Sequence, residues 1–177
     1  AGQTIEGLSL SVTNIADGAS EILTLDGTAI ALTHGTHGTT AGNSLSYSVS
    51  VVGTTATLSL TGGTLSAAAA QTLIDGASYQ NNSQDPSTSN RVITLTELKD
   101  SGGTANGGDN TVTLSVASTV SVVGVNDAPT LTATGANPTF TEGGAAGSLF
   151  SGTSISTLEA GQTIEGLSLS VTNIADG

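Results

Sequence analysis

Cysteine, methionine and tryptophan are absent from the sequence, two tyrosines and two phenylalanines are its only aromatic residues, and lysine and arginine together number two. Without cysteine there is neither a disulfide nor a thiolate metal site. With so few rings, the core cannot rest on large aromatic side chains. Two basic residues stand against 14 acidic ones, a formal charge of −12. Such a chain cannot track a phosphate backbone, which requires a lysine and arginine surface, and an anionic membrane repels it. No nucleic-acid or membrane partner is therefore expected. There is no long apolar run and no leader-like segment, so any address signal is expected to lie outside these residues.

Threonine, serine, glycine, alanine, valine and leucine make up most of the chain. Small and β-branched residues in this mixture favour strands around a valine, leucine and isoleucine core. So much glycine, serine and threonine also suits disorder. The mean hydropathy of +0.17 and a regular alternation of side chains argue against that. The uncompensated acidic charge either keeps the protein soluble or is neutralised by hard divalent cations, of which calcium prefers oxygen ligands.

Residues 1–18 read AGQTIEGLSLSVTNIADG and residues 160–177 repeat them letter for letter, so residue 1 recurs as residue 160, an offset of 159. An identity of this length marks a module of that period in tandem. The seam is expected at Val125-Asn126-Asp127-Ala128-Pro129, where Pro129 fixes φ and holds Ala128 extended. Residues 1–127 then form the body of one module without its opening strands, and residues 128–177 begin the next, identical one. In this register the opening strands lie within residues 129–159.

Alternation dominates the rest. Leu8, Leu10 and Val12 point one way and Ser9, Ser11 and Thr13 the other; Leu45, Tyr47, Val49 and Val51, then Ala56, Leu58 and Leu60, then Val112, Leu114 and Val116 repeat the pattern. A phase shift at Ala117-Ser118 predicts a β-bulge. Asp17-Gly18, Asp26-Gly27, Gly62-Gly63 and Gly102-Gly103 predict turns. The run Ala67 to Ile74, with Ser66 before it as N-cap and Gly76 after it as stop, predicts one short helix. The fold class is all-β, an antiparallel β-sandwich with one short helix.

Four stretches carry a resemblance. Val125-Asn126-Asp127-Ala128-Pro129 resembles the linker of bacterial cadherin-like repeats in giant surface adhesins exported by type I secretion. Ser78-Tyr79-Gln80-Asn81-Asn82-Ser83-Gln84-Asp85-Pro86 ahead of Asn90-Arg91-Val92, Asp100-Ser101-Gly102-Gly103 running to Gly107-Gly108-Asp109-Asn110, and Pro138-Thr139-Phe140-Thr141-Glu142-Gly143 are similar to that family in the same order. The resemblance implies immunoglobulin/cadherin-like sandwiches stacked head to tail with neighbouring identical modules, and calcium at the junctions. It implies Asn126 and Asp127 as linker ligands and Glu142 as the acidic residue at the top of the first strand. Glu159 stands where relatives often carry an Asp-x-Asp pair.

Each candidate has a plainer alternative. Asn126-Asp127 also suits a simple turn. The segment from Asp100 to Asp109 and Asn110 offers two carboxylates among glycines that let backbone carbonyls approach a cation, and it equally suits a flexible hairpin loop. It matches neither the nonapeptide calcium β-roll nor the EF-hand loop. His34 and His37 have no carboxylate or thiolate beside them and read as a polar loop. Asp17, Asp26 and Asp75 each precede glycine, which turn chemistry explains. No Gly-x-Ser-x-Gly elbow occurs, and no enzyme is expected. The expected function is a structural repeat module of a secreted or cell-surface adhesin or filament, a stalk made rigid by calcium, with any surface or glycan ligand elsewhere in the full protein. The alternative is a carbohydrate- or ice-binding module.

Overall fold

The computed structural model describes residues 2–175; Ala1, Asp176 and Gly177, the outer ends of the two copies of the repeated segment, lie outside them. The chain divides into two compact units, Ala1–Gly124 and Val125–Gly177.

The first unit runs through β1 (Ile5–Thr13), β2 (Glu21–Leu25), β3 (Thr28–Ala31), β4 (His37–Thr39), β5 (Ser46–Val52), β6 (Thr55–Thr61), α1 (Ala67–Asp75), β7 (Ser78–Asn81), β8 (Arg91–Asp100) and β9 (Thr111–Val120). A six-stranded sheet has the order β4-β5-β6-β1-β8-β9 and a three-stranded sheet the order β3-β2-β7. Every pairing is antiparallel. The two sheets share one apolar core. Leu8, Leu10 and Val12 of β1 and Leu58 and Leu60 of β6 meet Leu23 and Leu25 of β2, Ile30 of β3 and Leu73 of α1. Successive side chains of a strand alternate between faces, so the serines between these residues point outward; Ser9 Oγ and Ser59 Oγ lie 3.4 Å apart across β1 and β6. Tyr47 and Tyr79 pack against the same core.

Turn chemistry closes the hairpins where aspartate precedes glycine. Asp26 and Gly27 join β2 to β3 with φ of 49° and 72°, the left-handed pair that a two-residue hairpin turn requires. The helix starts as expected, with Ser66 Oγ accepting the Ala69 N–H at 3.1 Å. It stops at Gly76 in a right-handed conformation, φ −83°, so that glycine is not used for a left-handed cap.

Two details differ from the sequence reading. The phase shift near Ala117-Ser118 is not a bulge; those residues pair in register with Thr94 and Ile93. The irregularity lies at Thr96, where Leu95 pairs with Val116 and Glu97 with Thr113, leaving Leu114 and Ser115 opposite one residue. Thr96 is also skipped on the other side, where Ser9 pairs with Glu97 and Leu10 with Leu95. A local distortion shared by three strands cannot be seen in any one of them. His37, expected in a polar loop, opens the short edge strand β4.

The second unit holds a hairpin of β10 (Thr130–Gly135) and β11 (Phe150–Ser156), with Leu131 opposite Ile155. Residues 161–175 form no strand. They repeat residues 2–16, which include β1. Leu10 is 1% exposed and its copy Leu169 is 68% exposed. Truncating Leu10 should therefore leave a cavity and Leu169 should not. Leu10→Ala is expected to cost about 3 kcal/mol in urea unfolding, and Leu169→Ala less than about 0.5 kcal/mol. Equal losses would show that the two copies are equally buried.

Candidate functional site

Asp100 and Asp109 shape the loop between β8 and β9. Asp100 Oδ1 accepts the Gly102 N–H at 2.7 Å, and the Asp100 N–H donates to the Asn110 carbonyl at 2.8 Å. Asp109 Oδ1 accepts the Thr111 N–H at 3.0 Å. Both carboxylates thus bond to backbone two residues ahead, the habit of aspartate in turns.

Within the second unit, Asn126, Asp127 and Glu159 come together. Glu159 Oε1 accepts the Asp127 N–H. Gln162 Nε2 donates to Asn126 Oδ1 at 2.6 Å, and Asn126 Nδ2 reaches the Asp127 carbonyl at 3.4 Å. Glu159 stands on a turn whose preceding residue, Leu158, is left-handed at φ 69°, a conformation that costs a bulky side chain energy. Thr157 Oγ1 steadies that turn by donating to the Glu159 carbonyl at 3.2 Å. Glu159 Oε2 is buried and has no hydrogen-bond partner among the described residues. A buried carboxylate oxygen left so is costly unless a proton, a water or a cation meets it. Asn126, Asp127, Thr157, Gln162 and Glu165 line an open cleft here. Glu142 lies exposed in the turn Thr141–Gly144. Among the described residues no three of histidine, aspartate and glutamate gather closely enough to hold a metal, so Glu142 does not join Asp127 and Glu159.

A second polar cluster sits in the first unit, and turn chemistry alone does not account for it. Arg91, at the start of β8, and Glu21, at the start of β2, are both fully buried. Arg91 Nη2 meets Glu21 Oε1 at 3.0 Å and Asp17 Oδ2 at 2.8 Å, and Nε meets Glu21 Oε2 at 3.1 Å. Its Nη1 donates to the carbonyls of Ser87, at 3.0 Å, and Ser89. Glu21 also accepts the Ala16 and Asp17 N–H groups at 2.7 and 2.9 Å and the Tyr79 hydroxyl at 2.9 Å. Burial alone would raise the Glu21 pKa; Arg91, the two amides and Tyr79 outweigh it and hold the carboxyl below its ordinary 4.5. Burial, then the hydrogen bond and charge of Glu21, push the Tyr79 hydroxyl up to about 12. Asp17, read from sequence as a turn residue, is thus an ion-pair partner as well. Asp26 likewise reaches beyond its turn, accepting Asn43 N–H and Nδ2 at 2.7 and 2.6 Å. The available signal was compositional: the chain has a single arginine among 14 acidic residues.

No family model matches the chain, and neither a curated protein nor a solved structure does.

The buried cluster should dominate the acid side of stability. A carboxyl whose folded pKa is depressed contributes fully above its unfolded value and loses that contribution as pH falls through the folded one. Urea unfolding is expected to show stability falling as pH drops below 4.5, the ordinary value for Glu21. Arg91→Ala strands the Glu21 carboxylate and is expected to cost about 3–5 kcal/mol at neutral pH. It should also flatten or reverse the acid-side slope. A variant that keeps wild-type stability and slope would remove the cluster from this role.

Proposed function

We propose that the chain is a repeating structural module of an extracellular adhesin or surface filament, of the bacterial cadherin-like class, and that calcium stiffens the stalk it builds. One observation carries the stalk reading. The same residues form a strand paired on both edges at 5–13 and carry no strand at 164–172. The second copy is read as the corresponding strand of a following module, whose partners a further period of the repeat would supply. An immunoglobulin-like arrangement fits the first unit, with β8 and β9 as the closing hairpin and β7 at the edge of the smaller sheet.

Calcium is supported by donor chemistry. Glu159 and Asp127 carry carboxylate oxygens and Asn126 and Gln162 amide oxygens, the hard donors that calcium takes. Residues 125–177 contain acidic residues at 127, 142, 159, 165 and 176 and no lysine, arginine or histidine. No side chain of that unit can therefore pair with Glu159 as a cation. Glu159 and Asp127 would bind calcium through carboxylate oxygens, with the amide oxygens of Asn126 and Gln162 beside them.

Equilibrium dialysis of the EDTA-stripped chain tests this. Calcium uptake is expected with a Kd of roughly 0.1–1 mM, the range of extracellular modules, and Glu159→Gln should weaken it at least about tenfold, in line with the loss of a bound carboxylate. Magnesium, which demands tighter octahedral geometry, should compete poorly. No uptake at millimolar calcium, or uptake unchanged by Glu159→Gln, would remove calcium from the proposal.

A further inference from the structure

The smaller sheet of the first unit ends at β7, which among the described residues pairs with β2 on one side only. Beside it an open groove of ≈ 300 Å³ lies between the sheets, lined by Leu23, Tyr79, Ile93, Leu95, Val116 and Val120 among others. Val116 is 61% exposed there. A free strand edge beside an apolar groove is a template for an added strand.

The repeat says what that strand is. In the register that superposes residue 160 on residue 1, the segment leading into β1 is the one that leads into residue 160, the β10–β11 hairpin. β11 ends at Ser156 and the copy of Ile5, where β1 starts, is Ile164. The residues between can extend over roughly 25 Å, ample to cross the ~10 Å separating two packed sheets. The hairpin presents a matching apolar surface: Leu131 and Ile155 face each other across it, and both are about half exposed.

We propose that the outer edge of β7 and its groove accept the β10–β11 hairpin of a second copy of this chain. Donor and acceptor are different surfaces, so the contact is heterologous and propagates head to tail instead of closing into a symmetric pair. In a continuous array the preceding period would supply the same hairpin. The inference rests on the repeat register used above and not on calcium.

Sedimentation velocity of the full chain in EDTA tests it. Mass should rise with concentration past that of a dimer. Ile155→Asp blocks the donor and Val116→Asp the acceptor; both positions are exposed, so each variant should keep the wild-type circular dichroism and sediment as a monomer. Mixed together, the two should form a 1:1 complex that grows no further, because one intact donor remains for one intact acceptor. A synthetic peptide of residues 128–159 should dissolve wild-type assemblies, which tests the site without a substitution. A wild-type monomer at every concentration, assembly that survives Ile155→Asp, or assembly indifferent to the peptide would overturn the proposal. Because calcium is absent throughout, such a failure leaves the dialysis result untouched.

Discussion

β1 takes its form from β6 and β8, which hydrogen-bond to its two edges, and from the smaller sheet, which covers Leu8, Leu10 and Val12. Remove those neighbours and the alternation of leucine with serine specifies little, because β-propensity measures fit to a pleated, half-buried surface and not a backbone preference. The second copy of the sequence shows this directly. Ile164, Leu167, Leu169, Val171 and Ile174 are its large apolar residues, all exposed, and residues 161–175 form no strand. The organisation of the first unit follows from the same constraint. A core of leucine, valine and isoleucine gives many small contacts, each needing a partner on the facing sheet.

Such a core is weakly directional, since aliphatic side chains of similar volume can repack. The Arg91 cluster supplies direction. Its guanidinium meets Glu21 through two nitrogens and Asp17 through one, with the remaining donors on the carbonyls of Ser87 and Ser89. A planar fork of this kind tolerates little displacement. β8 of the larger sheet is thereby fixed against β2 of the smaller, and Tyr79 brings β7 into the same network. Replacing the whole cluster by well-packed apolar residues need not destabilise the unit, whereas removing one member leaves a buried charge. The cluster therefore contributes chiefly register and orientation.

What was legible in the sequence was what depends on neighbours along the chain. The period of two placed Leu8, Leu10, Leu58 and Leu60 in the core, and the Ser66 cap placed α1. Non-local features were not legible. Thr96 distorts three strands at once, and nothing in its own segment marks it. Asp17 and Asp26 satisfy turn chemistry, which hid their bonds to Arg91 and Asn43. Of the candidate ligands, Asn126, Asp127 and Glu159 lie together, Asp100 and Asp109 each accept one backbone amide through Oδ1, and Glu142 lies apart from Asp127 and Glu159.

A chain without cysteine has no disulfide to hold it. It must find stability in burial and in its neighbours. In a repeat protein each unit's intrinsic stability is supplemented by the interface it shares with the next. Two features of this chain would let a neighbour contribute: the free edge of β7 beside its groove, and the buried oxygen of Glu159 in a unit with no basic side chain. Under the proposed function the first takes a strand and the second a cation. In the proposed array both requirements would recur in every period, so that satisfying them once would satisfy them along an array of any length. Length would then be free to vary while stiffness per period stayed fixed, as the proposed stalk requires.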